Sequence, residues 1–182
     1  MLTLTDDPSV RKYAMSNDSA AVIRQQRRDW AAKHREMYLR SGGMQGHVMD
    51  VTDVGGHAFT THCLIRHTGR KSGKTVITAL IYGDVGGEVV IVASRGGADQ
   101  HPEWYLNLRA SPHIDFQIAT QAFRAIWREP EDVERHKIWD FMVDVFPPYA
   151  NYQASTTRKI PLVMMNPVAP TDVFRESDVQ SP

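Results

Sequence analysis

Between residues 18 and 40 the apolar positions recur at helical spacing. Ile23, Trp30 and Met37 fall every seven residues among polar neighbours, and Asp18 or Ser19 stands where an N-terminal cap belongs. Ser41-Gly42-Gly43 stops this helix. Downstream the pattern shortens towards a period of two. His57 to His67 is rich in strand formers, and a second strand runs from about Thr75 to Tyr82 after the turn Thr68 to Lys74. Gly83-Asp84-Val85-Gly86-Gly87 reads as a hairpin turn. Glu88 to Ala93 has no polar alternation, so this strand is expected to be buried on both faces. Ile114, Phe116 and Ile118 alternate with polar residues, as do Phe123, Ala125 and Trp127 beyond a tight turn near Thr120. A sixth strand is expected over Ile160 to Met165.

Helices interrupt these strands. One begins near Pro102, a good first-turn residue, and runs through Trp104 to Arg109. Another spans about Glu131 to Val145, with acids in its first turn and Ile138, Phe141, Met142 and Val145 on one face. Phe146-Pro147-Pro148 breaks it, and a short helical turn follows through Tyr152. About six short, mostly antiparallel strands with flanking helices predict an α+β domain, a small barrel. The expected organisation is a flexible leader over 1–17, one domain over 18–166 that includes the helix 18–40, and a loose tail over 167–182.

Composition narrows the function classes. Lys and Arg total 21 and Asp and Glu total 21, so the chain has no bulk attraction for nucleic acid or an anionic membrane. The helix 18–40 is locally basic, which suits a solvated face, a lid over a ligand or at most a weak membrane-surface contact. No stretch approaches a membrane span and no secretory signal is visible, so the cytoplasm is the expected compartment. The lone Cys63 lies in an apolar run and reads as a buried, inert thiol. His57, His62 and His67 are each five apart, which sets neighbours on opposite strand faces, and no metal site is expected.

Three segments carry candidate chemistry. Gly69-Arg70-Lys71-Ser72-Gly73-Lys74-Thr75 is one residue short of a phosphate loop, and a strand follows where a helix should. Its three cations and two glycines still suit either an anion site or an exposed basic turn. Ser94-Arg95-Gly96-Gly97 joins a buried strand to the helix at Pro102, with glycine-freed amides in front of a helix. Tyr149 and Tyr152, three apart on a helical turn, face the same way and would wall a pocket or pack at a core margin.

Together and in this order, the three segments resemble the deazaflavin-dependent nitroreductase family. The matching pieces are Thr-Gly-Arg-Lys-Ser-Gly-Lys at 68–74, Ala-Ser-Arg-Gly-Gly with His-Pro-Glu-Trp-Tyr-Leu-Asn-Leu at 93–108, and Phe-Pro-Pro-Tyr-Ala-Asn-Tyr-Gln at 146–153. Arg158-Lys159-Ile160-Pro161 fits the family's closing strand, and the resemblance covers about residues 57–165. It implies a split β-barrel that binds reduced coenzyme F420 and passes a hydride from the coenzyme's C5 to a quinone, nitroaromatic or activated alkene. Carried over, Arg70, Lys71 and Lys74 meet anionic groups. Ser94, Arg95, Gly96 and Gly97 lie near the deazaflavin and phosphate, with Trp104 and Asn107 in support. Tyr149 and Tyr152 line the substrate side, and Tyr149, Tyr152, Ser94 or water supplies the proton.

Three positions depart from the family pattern. Val76 stands where the family has Arg, which removes a charge-assisted contact worth on the order of 1.5–3 kcal/mol. Ala79 stands in place of Pro, and Phe146 in place of a pocket tyrosine. Two other readings keep the barrel: an FMN enzyme, or a cofactor-independent enzyme or binding protein. The absence of a Gly-x-Ser-x-Gly elbow argues against a serine hydrolase.

Overall fold

The computed structural model describes residues 17–179. The leader expected at the N-terminus, the side chains of Asp18, Ser19 and Ile23, and the last three residues of the tail lie outside the described residues. The chain divides into two compact units, residues up to Lys33 and His34–Pro182. Helix α1, Asn17–Arg40, begins in the first and ends in the second. Its buried side chains are His34, Tyr38 and Leu39, whereas Trp30 is exposed. Of the seven-residue stripe, Trp30 is exposed and Met37 half-buried; the buried side chains are His34 and those four and five residues beyond it.

Seven strands follow: β1 Val48–Met49, β2 Thr60–Thr68, β3 Thr75–Val85, β4 Glu88–Val92, β5 His113–Ile118, β6 Gln121–Arg128 and β7 Leu162–Thr171. Every pairing is antiparallel, in the order β1-β2-β3-β4-β7-β6-β5. A further pairing of β2 with β5, from Cys63↔Ile118 to Arg66↔Asp115, closes β2 to β7 into a six-strand barrel. Closure gives each of these strands a neighbour on both sides over part of its length. Three helices interrupt the barrel: α2 Glu103–Leu108, α3 Asp132–Val145 and α4 Pro148–Ala154. The α+β barrel expected from the strand spacing is the fold.

Alternation sorts the apolar residues into layers. Val89 and Ile91 of β4 join Cys63, Ile65, Phe116 and Val163 in one cluster, which α2 completes with Trp104, Tyr105 and Leu108. Val90 and Val92, on the other face, pack with Ile138 and Met142 of α3 and Tyr149 of α4. That is why β4 reads as continuously apolar. A third cluster sets Tyr38 and Leu39 of α1 against Leu64, Ile77 and Phe174.

Two boundaries differ from the sequence reading. The hairpin between β3 and β4 turns on Gly86 and Gly87 alone, both at positive φ, and Gly83 belongs to β3. A Cβ on Gly83 would fall 2.5 Å from the Phe141 ring, so that glycine lets α3 approach the sheet. The tail is not loose at Pro167. β7 continues to Thr171, with a register shift between Arg124 and Ala125 that leaves Val168 as an extra residue. Beyond Met165 β7 pairs with β6 only, and a strand with one free side tolerates Pro167 and Pro170. Phe174 is then fully buried, its amide donates to Gln117 Oε1 at 2.7 Å, and Arg66 lies 4.4 Å over its ring.

Candidate functional site

Helix α2 organises the candidate residues. The turn between β2 and β3 is closed by Gly69 N–H donating to Lys74 O and Gly73 N–H to Gly69 O, both at 2.8 Å. It is fastened to α2 by Arg70. The backbone amide of Arg70 and its Nη1 both donate to Asn107 Oδ1, at 3.1 and 2.9 Å, and Nη1 also meets Glu103 Oε2 at 2.6 Å. The Arg70 guanidinium holds the Glu103 carboxyl below its ordinary range. With its oxygen committed to Arg70, Asn107 directs its amide nitrogen to His67 Nδ1 at 3.4 Å, and His67 Nε2 lies 3.4 Å from Thr78 Oγ1. Burial lowers the pKa of His67 from 6.5 to about 4, so the ring is neutral near pH 7. His67 and Asn107 also border a cleft of about 430 Å³ with Thr75, His113 and Asp115, where β2 and β5 part.

The segment that enters α2 meets the loop after β4. Ser94 has right-handed helical dihedrals (φ −73°, ψ −40°), and Arg95, Gly96 and Gly97 all have positive φ (48°, 62° and 80°). An αR residue followed by αL residues is the backbone of an anion-binding nest, in which successive N–H groups converge. Arg95 is strained there, at a cost on the order of 1–3 kcal/mol. Its Nη1 donates to His101 O at 3.0 Å, just before α2. Gly97 lies against α4: a Cβ on it would fall 2.7 Å from Tyr152 O and 3.1 Å from Ser155 Cβ. Only glycine fits that approach.

Tyr149 and Tyr152 are on α4 with ring centroids 6.2 Å apart. Tyr149 is buried edge-on against Phe146 at 5.1 Å and near Trp139 at 6.5 Å, and Tyr152 is half-buried. Burial, then the neighbouring Tyr152 and Cys63, push the Tyr149 hydroxyl well above its ordinary pKa, so it keeps its proton. Trp104 is buried in the inner cluster beside Tyr105.

The structure therefore ties the basic turn to α2, and the glycine loop both to the segment that enters α2 and to α4. Arg70 serves first as a tie between turn and helix, while Lys71 is exposed. Val76 pairs with His67 in the ladder, and alternation puts its side chain on the Thr78 face, opposite Ile77. Ala79 packs on the α1 cluster. Cys63 is fully buried, and burial raises its thiol pKa. Among the described residues no three His, Cys, Asp or Glu side chains gather as for a metal ion, and no helix is long and apolar enough to cross a membrane.

Residue reading did not assign a role to Arg158. Its guanidinium donates to Ala98 O through Nε at 2.7 Å, to Ser94 O and Ala93 O through Nη2 at 2.7 and 3.2 Å, and reaches His101 Nδ1 through Nη1 at 3.3 Å. Its own place is set by Gln153, whose amide donates to Arg158 O at 2.9 Å and accepts from Ile160 N–H at 3.0 Å. Nothing in the local pattern of 158–161 signals these contacts, because they join segments some 60 residues apart.

The closed antiparallel barrel with its flanking helices is the fold of the split-barrel reductases. The chain belongs to the F420H(2)-dependent quinone reductase family, whose sequence model matches residues 30–167. It is 32% identical over 105 residues to an F420H(2)-dependent quinone reductase of Mycobacterium tuberculosis, covering 56% of this chain and 70% of that protein. Among solved structures it resembles the F420-H2 dependent reductase FDR-A, at 37% identity and a TM-score of 0.54 over 58% of this chain and 93% of that one. It also resembles a structure described as a domain-swapped dimer, at 34% identity and a TM-score of 0.56 over 76% and 98% of the two chains.

Proposed function

We propose that this chain reduces a small electron-poor acceptor, a quinone first and by the same chemistry a nitroaromatic or activated alkene, at the expense of reduced F420. The observation that carries the reading is the chain of contacts that runs from the turn at 70 through α2 to the loop at 94–97 and, through Gly97, to the tyrosine helix α4. The donor set suits an anionic coenzyme: Arg70, Lys71 and Lys74 at one end, and a nest of amides at the other. Bound F420 supplies the hydride. The protein's part is to bind and orient. Ser94 to Gly97 present the amides and the Arg95 side chain; Asn107 holds the turn and Trp104 anchors α2 in the core. Tyr149 and Tyr152 border the acceptor's side: the half-buried Tyr152 offers its hydroxyl to an acceptor oxygen, and the buried Tyr149 keeps its proton behind it. A reductase with one buried cysteine suits a reducing cytoplasm.

Fluorescence titration with oxidised F420, run beside FMN, tests the reading. Micromolar or tighter binding of F420, selective over FMN, followed by quinone-dependent oxidation of the reduced coenzyme, is expected. Saturable binding of FMN alone, or of neither molecule, refutes it.

A further inference from the structure

Arg158 gives one guanidinium to three carbonyls of one loop, those of Ala93, Ser94 and Ala98. These flank the run of positive φ at Arg95, Gly96 and Gly97 on both sides. A clamp at both ends restrains a conformation that an arginine at position 95 disfavours. Peptide units are planar and trans, so the carbonyl and the following N–H point in opposite directions. With Ala93 O and Ser94 O drawn to Arg158, the N–H groups of Ser94 and Arg95 face away from it. The clamp is itself braced: Gln153 fixes the Arg158 carbonyl, Thr156 Oγ1 accepts from the Arg158 amide at 3.4 Å, and the Thr156 hydroxyl donates to Asp99 Oδ1 at 2.9 Å.

We propose that Arg158 is a positioning residue for the coenzyme loop, turning the Ser94 and Arg95 amides towards the phosphoryl or ring-carbonyl oxygens of the bound deazaflavin. The orientation of the loop stands on the contacts alone; its purpose rests on the F420 reading. Lysine is the informative replacement. It keeps the charge but has one compact head, which does not span three carbonyls and the His101 ring as a planar fork does.

Amide-resolved hydrogen exchange on Arg158→Lys without ligand, with F420 titrations of the same protein, makes the test. Exchange at Gly97 and Ala98, whose amides donate to Ser94 O and Arg95 O, is expected to rise at least tenfold while the strands of the barrel stay protected. The F420 Kd is expected to rise ten- to a hundredfold, with quinone KM at saturating coenzyme within about threefold of the parent. Arg158→Gln gives the same pattern if the fork, and not the charge alone, matters. In the unaltered protein, F420 is expected to protect the Ser94 and Arg95 amides selectively, a readout that needs no variant. Unchanged exchange and an F420 Kd within twofold in Arg158→Lys overturn the proposal, as does F420 binding that leaves those two amides unprotected. If the unaltered protein binds no F420, the coenzyme reading fails by itself, and the exchange data still decide whether Arg158 holds the loop.

Discussion

Arg70 sends two donors to the one oxygen of Asn107 and shares Nη1 with the largely exposed Glu103. A carboxylate thus occupies the guanidinium that an anionic coenzyme would use. An ion pair of this exposure contributes little, because water and salt screen it. Glu103→Gln is therefore expected to tighten F420 binding by up to about fivefold in a titration at low salt; weaker binding would show that Glu103 holds Arg70 in place. Val76 faces the His67 and Thr78 side of β3, beside this network. Val76→Arg adds a cation there, and a tightening on the order of tenfold is expected, since a hydrogen bond to a charged group is worth about 1.5–3 kcal/mol. No change would mean that the anion lies elsewhere.

At the scale of elements, the glycine loop and α4 fit only because residue 97 lacks a side chain. Gly97→Ala puts a Cβ 2.7 Å from Tyr152 O at φ 80°. The expected cost is roughly 1–3 kcal/mol of stability, with weaker F420 binding, read by denaturant unfolding and titration. The tail offers a sharper check. Phe174→Ala empties a fully buried ring site and also weakens the hold of the tail on Arg66. A loss of about 3–5 kcal/mol is expected from the unfolding midpoint; a loss under about 1 kcal/mol would return residues 172–179 to the loose tail of the sequence reading. That reading recovered β4, β5, β6 and the buried face of α3, because their periods are set by layers on known sides. It missed the length of β7, because prolines read as breakers until a one-sided ladder excuses them. It also missed the burial of α1 on His34 and Tyr38, since that face is chosen by what the barrel offers.

The whole molecule carries a pH signature. His62 and His67 are buried, and desolvation lowers each pKa from 6.5 to about 4, with His34 adding to the shift at His62. Between those values the unfolded chain binds more protons than the folded one. Stability is therefore full above about pH 6.5 and falls as the pH drops towards 4, by on the order of 3 kcal/mol for each histidine. Thermal unfolding across pH 4–8 is expected to show this loss, and His67→Asn to flatten part of it; an unfolding temperature independent of pH over that window would contradict the burial of both rings.

The sequence by itself determined the strand periods, the turn chemistry and the order of three motifs, because each is a local matter of spacing and backbone freedom. It also carried the likeness to a coenzyme-dependent barrel, since the motif residues lie in short contiguous runs. Only the tertiary structure decided that Arg70 is a tie between turn and helix, and where β2 meets β5. It alone placed Arg158 behind a loop about 60 residues away and seated Phe174 against Arg66. These depend on distances between segments that closure of the barrel brings together, and no periodicity along the chain records them.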